Sequence, residues 1–183
     1  MLATGYVSRL RYLVRAPLPI YFEDNVVDTI ARVRWHTMSS SARIAALIDA
    51  VEYVVRARIP GALVECGVWR GGSMMAAALT LRRLGEEARD LYLFDTFTGM
   101  TAPTEEDANS AYDGYSLTRM FRRRKNWSGV PVAPVRAAME TTGYPIERVH
   151  LVAGPVEETL PGNAPDLIAL LRLDTDWYVS TRA

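Results

Sequence analysis

The feature that most constrains this chain is an alternation of short apolar runs with glycine-bearing turns and helix-length segments. Ala62-Leu63-Val64-Glu65-Cys66-Gly67 is the first such run, closed by its glycine. Its apolar residues fall on both faces, as in a strand buried between two layers, and not in the alternation of a half-exposed antiparallel strand. Arg70-Gly71-Gly72-Ser73 follows and opens a helix over Met74–Leu84, which Gly85 ends. Leu91-Tyr92-Leu93-Phe94-Asp95 reads as a second strand, Val149–Ala153 as a third and Leu167–Asp174 as the last. Strand, helix and strand in this rhythm imply an α/β fold with a parallel, doubly wound sheet and right-handed crossovers.

Around this frame the punctuation is clear. Ser39-Ser40-Ser41 offers an N-cap for a helix through about Arg58, with Ile44, Leu47, Ile48, Val51, Val54 and Val55 at helical spacing. Ile59-Pro60-Gly61 stops it. Residues 1–38 read as an irregular N-terminal extension, broken by Pro17 and Pro19, ahead of one domain over 39–183. Roughly fifty residues separate the second and third strands, a long connection for a compact domain. Within it Val132–Thr142 is helix-like and Thr96–Asp113 reads as a loop or lid.

Composition serves mainly to exclude. Lysine plus arginine number 21 and aspartate plus glutamate 21, so no excess of positive charge points to nucleic acid. A single cysteine, Cys66, forbids an internal disulfide and reads as a small packing residue in a cytoplasmic protein. No stretch reaches the roughly 18 apolar residues of a membrane span. His36 and His150 form no metal-spaced pair, and Arg122-Arg123-Arg124-Lys125 reads as a solvated helix face or a contact of a substrate lid.

In open α/β sheets a ligand binds beyond the carboxyl ends of the strands. Glu65, Asp95 and Asp174 stand at three of those ends, and Gly154-Pro155 at the fourth. An acid ending the second strand can accept both hydroxyls of a ribose, or it can cap the following turn. Gly67, Gly71 and Gly72 do not make G-x-G-x-x-G, and no phosphate-loop lysine follows. This disfavours a nicotinamide-dependent oxidoreductase and ATP chemistry.

Five phrases carry a more specific signal. Val64-Glu65-Cys66-Gly67-Val68-Trp69-Arg70-Gly71-Gly72-Ser73 closely resembles the first cofactor motif of the macrocin O-methyltransferase (TylF/MycF) family. So do Leu91–Phe97 with Gly99-Met100, Gly143-Tyr144-Pro145 leading to Arg148-Val149, Gly154–Pro161, and Leu171-Arg172-Leu173-Asp174-Thr175-Asp176-Trp177-Tyr178. The resemblance implies a Rossmann-like sheet, S-adenosyl-L-methionine as methyl donor, Mg²⁺ assistance, and a sugar hydroxyl of a macrolide-like natural product as acceptor. It implies that Glu65, Gly67, Arg70, Gly71, Gly72 and Ser73 line the methionine part of the cofactor and that Asp95 holds the ribose. Gly154, Pro155 and Val156, with Trp127 and Ser128, border the adenine, and Met38 with Ser39 approaches the cofactor. Asp174 matches the family's first metal-ligand aspartate and its candidate base.

One departure matters. Family members continue with another strand ending in Asp-Asp-Tyr, whereas this sequence stops nine residues after Asp174. The expectation is a C-terminally truncated member with strand order 3-2-1-4, its last strands missing and its Mg²⁺ site incomplete. Residues two apart on an extended segment lie about 6–7 Å apart, so Asp176 is a poor substitute for the missing pair. The last strand would lie on an open edge, which invites pairing with a second copy. A catalytically inactive remnant that at most binds the cofactor is the competing reading.

Overall fold

The computed structural model of the chain describes residues 18–19, 21–108 and 129–183. Four parallel strands form one sheet: β1 Ala62–Cys66, β2 Leu91–Asp95, β3 Val149–Ala153 and β4 Ile168–Leu173. Their spatial order is β3-β2-β1-β4, the order expected. Register is set by the apolar runs themselves: Leu63 lies beside Leu91, and Glu65 has Leu93 on one side and Arg172 on the other.

Helices α1 (Asp24–Val33), α2 (Ser41–Arg56), α3 (Gly72–Arg83) and α5 (Val132–Glu140) supply the larger core. It meets the sheet at Leu63, Leu91, Leu93 and Val149. The opposite face is a smaller cluster of Val64, Cys66, Phe94 and Val156, the last at the start of α6 (Val156–Asn163). Two short helices complete the described elements, α4 (Glu105–Ala108) and α7 (Tyr178–Arg182). The Ser40 hydroxyl caps α2 by accepting from the Arg43 amide.

Helix α1 differs from the irregular extension read from the sequence. Val26, Val27, Ile30 and Val33 form a stripe at i, i+1, i+4 and i+7 and are buried in the same core as α2 and α3. Full burial of each such side chain stabilises by about 1.5–3 kcal/mol. The segment is therefore part of the domain's core and not an appendage to it.

The edge strand β4 is covered on one face only. Leu170 and Arg172 lie beside Leu63 and Glu65 on the helix-covered side, whereas Leu171 and Leu173, beside Val64 and Cys66, are each 50% exposed. No described helix is long and apolar enough to cross a membrane.

Candidate functional site

Asp95, the last residue of β2, organises two turns at once. Its Oδ2 accepts from the backbone N–H of Val68 at 2.7 Å and of Trp69 at 2.9 Å, and its Oδ1 from Phe97 N–H at 2.9 Å. Trp69 and Phe97 have φ of 52° and 54°, a left-handed backbone that bulky residues rarely adopt. Such conformations persist where the surroundings over-determine them, and they cluster at ligand sites. Here the carboxylate supplies part of that constraint, tying the turn after β1 to the turn after β2.

The end of β4 is built differently. The Asp174 amide donates to the Cys66 carbonyl at 2.8 Å, which brings its backbone against Gly67. A Cβ on Gly67, whose φ is +88°, would lie 2.8 Å from the Asp174 carbonyl carbon, so only glycine fits. Behind this turn lies a charged group. Arg172 Nη1 donates to Glu65 Oε1 at 2.6 Å, and Arg172 Nη2 donates to Ser39 Oγ at 2.9 Å and Asp174 Oδ2 at 3.0 Å. Burial pushes the Glu65 carboxyl up to about 8; Arg172 opposes this, Asp174 adds to it, and the nearby Ser73 hydroxyl lowers it slightly. Burial and then Asp174 also raise the Asp176 carboxyl. Burial pushes the Cys66 thiol up to about 11, an unreactive packing residue as its sequence context suggests.

Between these two carboxylates opens a cavity of about 280 Å³. Gly67 and Trp69 line it from the first turn, Phe94 to Thr96 from β2, and Gly154 to Glu157 from the turn entering α6. Met38, Ser39 and Arg43 close one side, and Asp174 to Trp177 another. A clasp holds the rim: Trp177 Nε1 donates to the Thr101 carbonyl at 2.9 Å, and the Tyr178 amide to Asp107 Oδ1 at 2.7 Å. Asp107 Oδ2 also accepts from the Thr104 amide, so the segment after β2 is joined to the start of α7 through one buried acid.

The residues expected from the sequence divide accordingly. Gly67, Asp95, Gly154, Pro155, Val156 and Asp174 line the cavity, as do Met38 and Ser39. Glu65, Arg70, Gly71, Gly72 and Ser73 are not among its lining residues. Glu65 is buried beneath the wall, and the Arg70 guanidinium lies over the Trp69 ring and donates to the Trp35 carbonyl. Gly72 meets protein: its amide donates to the His36 carbonyl at 2.8 Å, and a Cβ would stand 2.5 Å from that peptide. Gly71 faces Val135, and Ser73 is buried in α3. Trp127 and Ser128, like the Arg122–Lys125 run, lie outside the described residues. Sequence reading missed Arg172 and Asp107. Both were concealed because their partners are distant in the chain, with no local spacing to announce them.

A parallel sheet of order 3-2-1-4, with a ligand-sized cavity beyond its carboxyl ends and an acid on either side, defines an α/β protein of the Rossmann-like class. The macrocin-O-methyltransferase (TylF) family model matches residues 28–183, and the chain belongs to that family. It is 34% identical over 175 residues to the 8-demethyl-8-(2,3-dimethoxy-alpha-L-rhamnosyl)-tetracenomycin-C 4'-O-methyltransferase of Streptomyces olivaceus, covering 91% of this chain and 64% of that protein. It is 32% identical to the demethyldecarbamoylnovobiocin O-methyltransferase of Streptomyces niveus, covering 80% of this chain and 54% of that one. Among solved structures, the O-methyltransferase NovP superposes with a TM-score of 0.70 at 28% identity, covering 98% of this chain and 75% of NovP. The calicheamicin methyltransferase CalS11 shares the fold, with a TM-score of 0.59 at 23% identity over 98% of this chain and 68% of CalS11. The chain thus spans a little over half to just under two thirds of the length of these two curated relatives.

Proposed function

We propose that this chain is an S-adenosyl-L-methionine-dependent O-methyltransferase that methylates a sugar hydroxyl of a glycosylated natural product. The observation that carries the reading is the cavity with Asp95 on one wall and Asp174 on another, in a chain of this family. Its walls suit the donor. Phe94, Pro155 and Val156 offer apolar surface for an adenine, and the carboxylates offer negative charge to a sulfonium. An ionised carboxylate has about four lone-pair sites, and in Asp95 three take backbone amides. The Thr96 hydroxyl, 3.4 Å from Oδ1, makes its shorter bond to the Gly99 carbonyl, which leaves Asp95 room for a ribose hydroxyl. When bound, the cofactor supplies an electrophilic methyl group.

The chain's own residues have three tasks. Gly154 to Val156 and Trp69 hold the donor and exclude water from it. The clasp from Trp177 to Thr101 and from Tyr178 to Asp107 fixes the rim over the reacting atoms. Asp174 Oδ2 is held by Arg172, while Oδ1 has no hydrogen bond among the described residues. Oδ1 is therefore the atom that would take the proton from the acceptor hydroxyl as the oxygen attacks the methyl carbon. Mg²⁺ fits less well: no group of three His, Cys, Asp or Glu among the described residues could hold a metal ion. Mg²⁺ prefers octahedral oxygen ligation; Asp174 and Asp176 are the carboxylates near the turn, and no step is routed through a metal.

The test is ligand-linked stability. At a hundredfold excess over its Kd, S-adenosylhomocysteine should add about 2.7 kcal/mol and raise Tm by several degrees. NADH should leave Tm unchanged. The absence of a shift with S-adenosylhomocysteine in a folded sample would overturn the reading. Binding without methyl transfer to any glycosylated acceptor would reduce it to a cofactor-binding remnant.

A further inference from the structure

We propose that Arg172 is a positioning residue that couples Ser39 and Asp174, two separate parts of the cavity wall, through a single guanidinium nitrogen. Neither Arg172 nor Glu65 lines the cavity, but both residues that share Arg172 Nη2 do. Ser39 lies in the connection between α1 and α2, and Asp174 follows β4, 135 positions later in the chain. Among the described hydrogen bonds, Arg172 is what joins them. Its other nitrogen is anchored on Glu65, 1% exposed and adjacent in the β1·β4 ladder.

A buried ion pair is weak evidence for stability, because replacing it with well-packed apolar side chains is often neutral or better. Arg172 interrupts a leucine-rich strand, with Leu170 two residues before it on the same face, and its side chain is only 16% exposed. Its planar fork does what a leucine would not. It fixes two wall residues at 2.9 and 3.0 Å from one atom, so displacement of one is felt by the other.

This inference rests on the donor occupying the cavity. The experiment is a double-mutant cycle on S-adenosylhomocysteine affinity, measured by calorimetry in chelator-containing buffer. Ser39→Ala and Asp174→Ala, each of which removes an acceptor from Arg172 Nη2, are made singly and together in the Arg172 protein, then again with Arg172→Lys, which keeps the charge and loses the fork. In the Arg172 protein the two changes should be non-additive by about fivefold or more in Kd. In the Arg172→Lys background they should be additive to within about twofold. Additivity with Arg172 present, or non-additivity that survives Arg172→Lys, would overturn the coupling and leave the proposed function standing. Failure of the unmutated chain to bind S-adenosylhomocysteine would remove both. Circular dichroism checks folding; if Arg172→Lys does not fold, Glu65→Ala, which removes the acceptor that anchors the guanidinium, should cut the coupling instead.

Discussion

Asp95 ends β2 and Asp174 directly follows β4, the two strands that flank β1, and both line the same cavity, yet they are held in opposite ways. Asp95 is gripped by backbone amides from two turns, one on each oxygen's side, and cannot turn without releasing both. Asp174 is 49% exposed in its side chain and held on one oxygen by one side chain. The first is built into the scaffold and shapes the wall before any ligand arrives. The second is supported from behind and keeps one oxygen available. A group that receives a proton or an acceptor needs that freedom, whereas a group that defines a donor pocket needs rigidity.

The strongest way to break this contrast is to remove the grip. Asp95→Ala would strand three amides, including those of Trp69 and Phe97 in their left-handed conformations. We expect a loss of about 3–5 kcal/mol in denaturant unfolding, since each unsatisfied buried donor costs roughly 1–3 kcal/mol. Asp95→Asn keeps one acceptor oxygen and should lose about half as much, which separates hydrogen bonding from charge. Were Asp95→Ala to unfold at the same denaturant concentration as the parent chain, the scaffold role of this carboxylate would be wrong.

Such roles differ in how far they can be read from the chain. The strands were legible because a buried parallel strand must be apolar on both faces, as Leu91–Phe94 is. Helix α1 was not, because Asp24, Asn25, Asp28 and Thr29 interrupt Val26, Val27, Ile30 and Val33 over a short span that follows two prolines. Gly71 and Gly72 were read as giving room to a ligand. They give room to Val135 and to the His36 peptide, partners that no local pattern specifies. The cavity residues Gly67, Asp95, Gly154 and Asp174 were legible because strand ends converge there by topology. Their supports were not, since Arg172 looks like one interruption in a leucine-rich strand.

A pH series sharpens the comparison at the next level of effect. Glu65 lies behind Asp174, with Arg172, Asp174 and Ser73 as its charged and polar neighbours. Its carboxyl titrates near 4.5 when unfolded and at about 8 when folded. Between those values the folded chain binds more protons than the unfolded one, so stability is greatest at the acid end and falls as pH rises toward 8. The fall contributed by this group should be a few kcal/mol, at most about 5 for the full shift, in urea unfolding, and Glu65→Gln should flatten it. A Glu65→Gln protein with the same slope as its parent would place the titration elsewhere.

The smallest expected effect is the most discriminating. Asp174→Asn removes a charge whose side chain is half exposed and whose ion pair with Arg172 is screened by solvent, so stability should change by less than about 1 kcal/mol. An amide oxygen can still accept from Arg172 Nη2, so the wall should keep its shape. What it cannot do is accept a proton at neutral pH. Methyl transfer should therefore fall by about 10²–10⁴-fold if Asp174 is the base, with S-adenosylhomocysteine still binding in competition. Large destabilisation in Asp174→Asn would instead make this carboxylate a scaffold group like Asp95. Unchanged turnover in a stable Asp174→Asn protein would move the proton acceptor to another atom of the cavity, with Asp176 the next carboxylate to test.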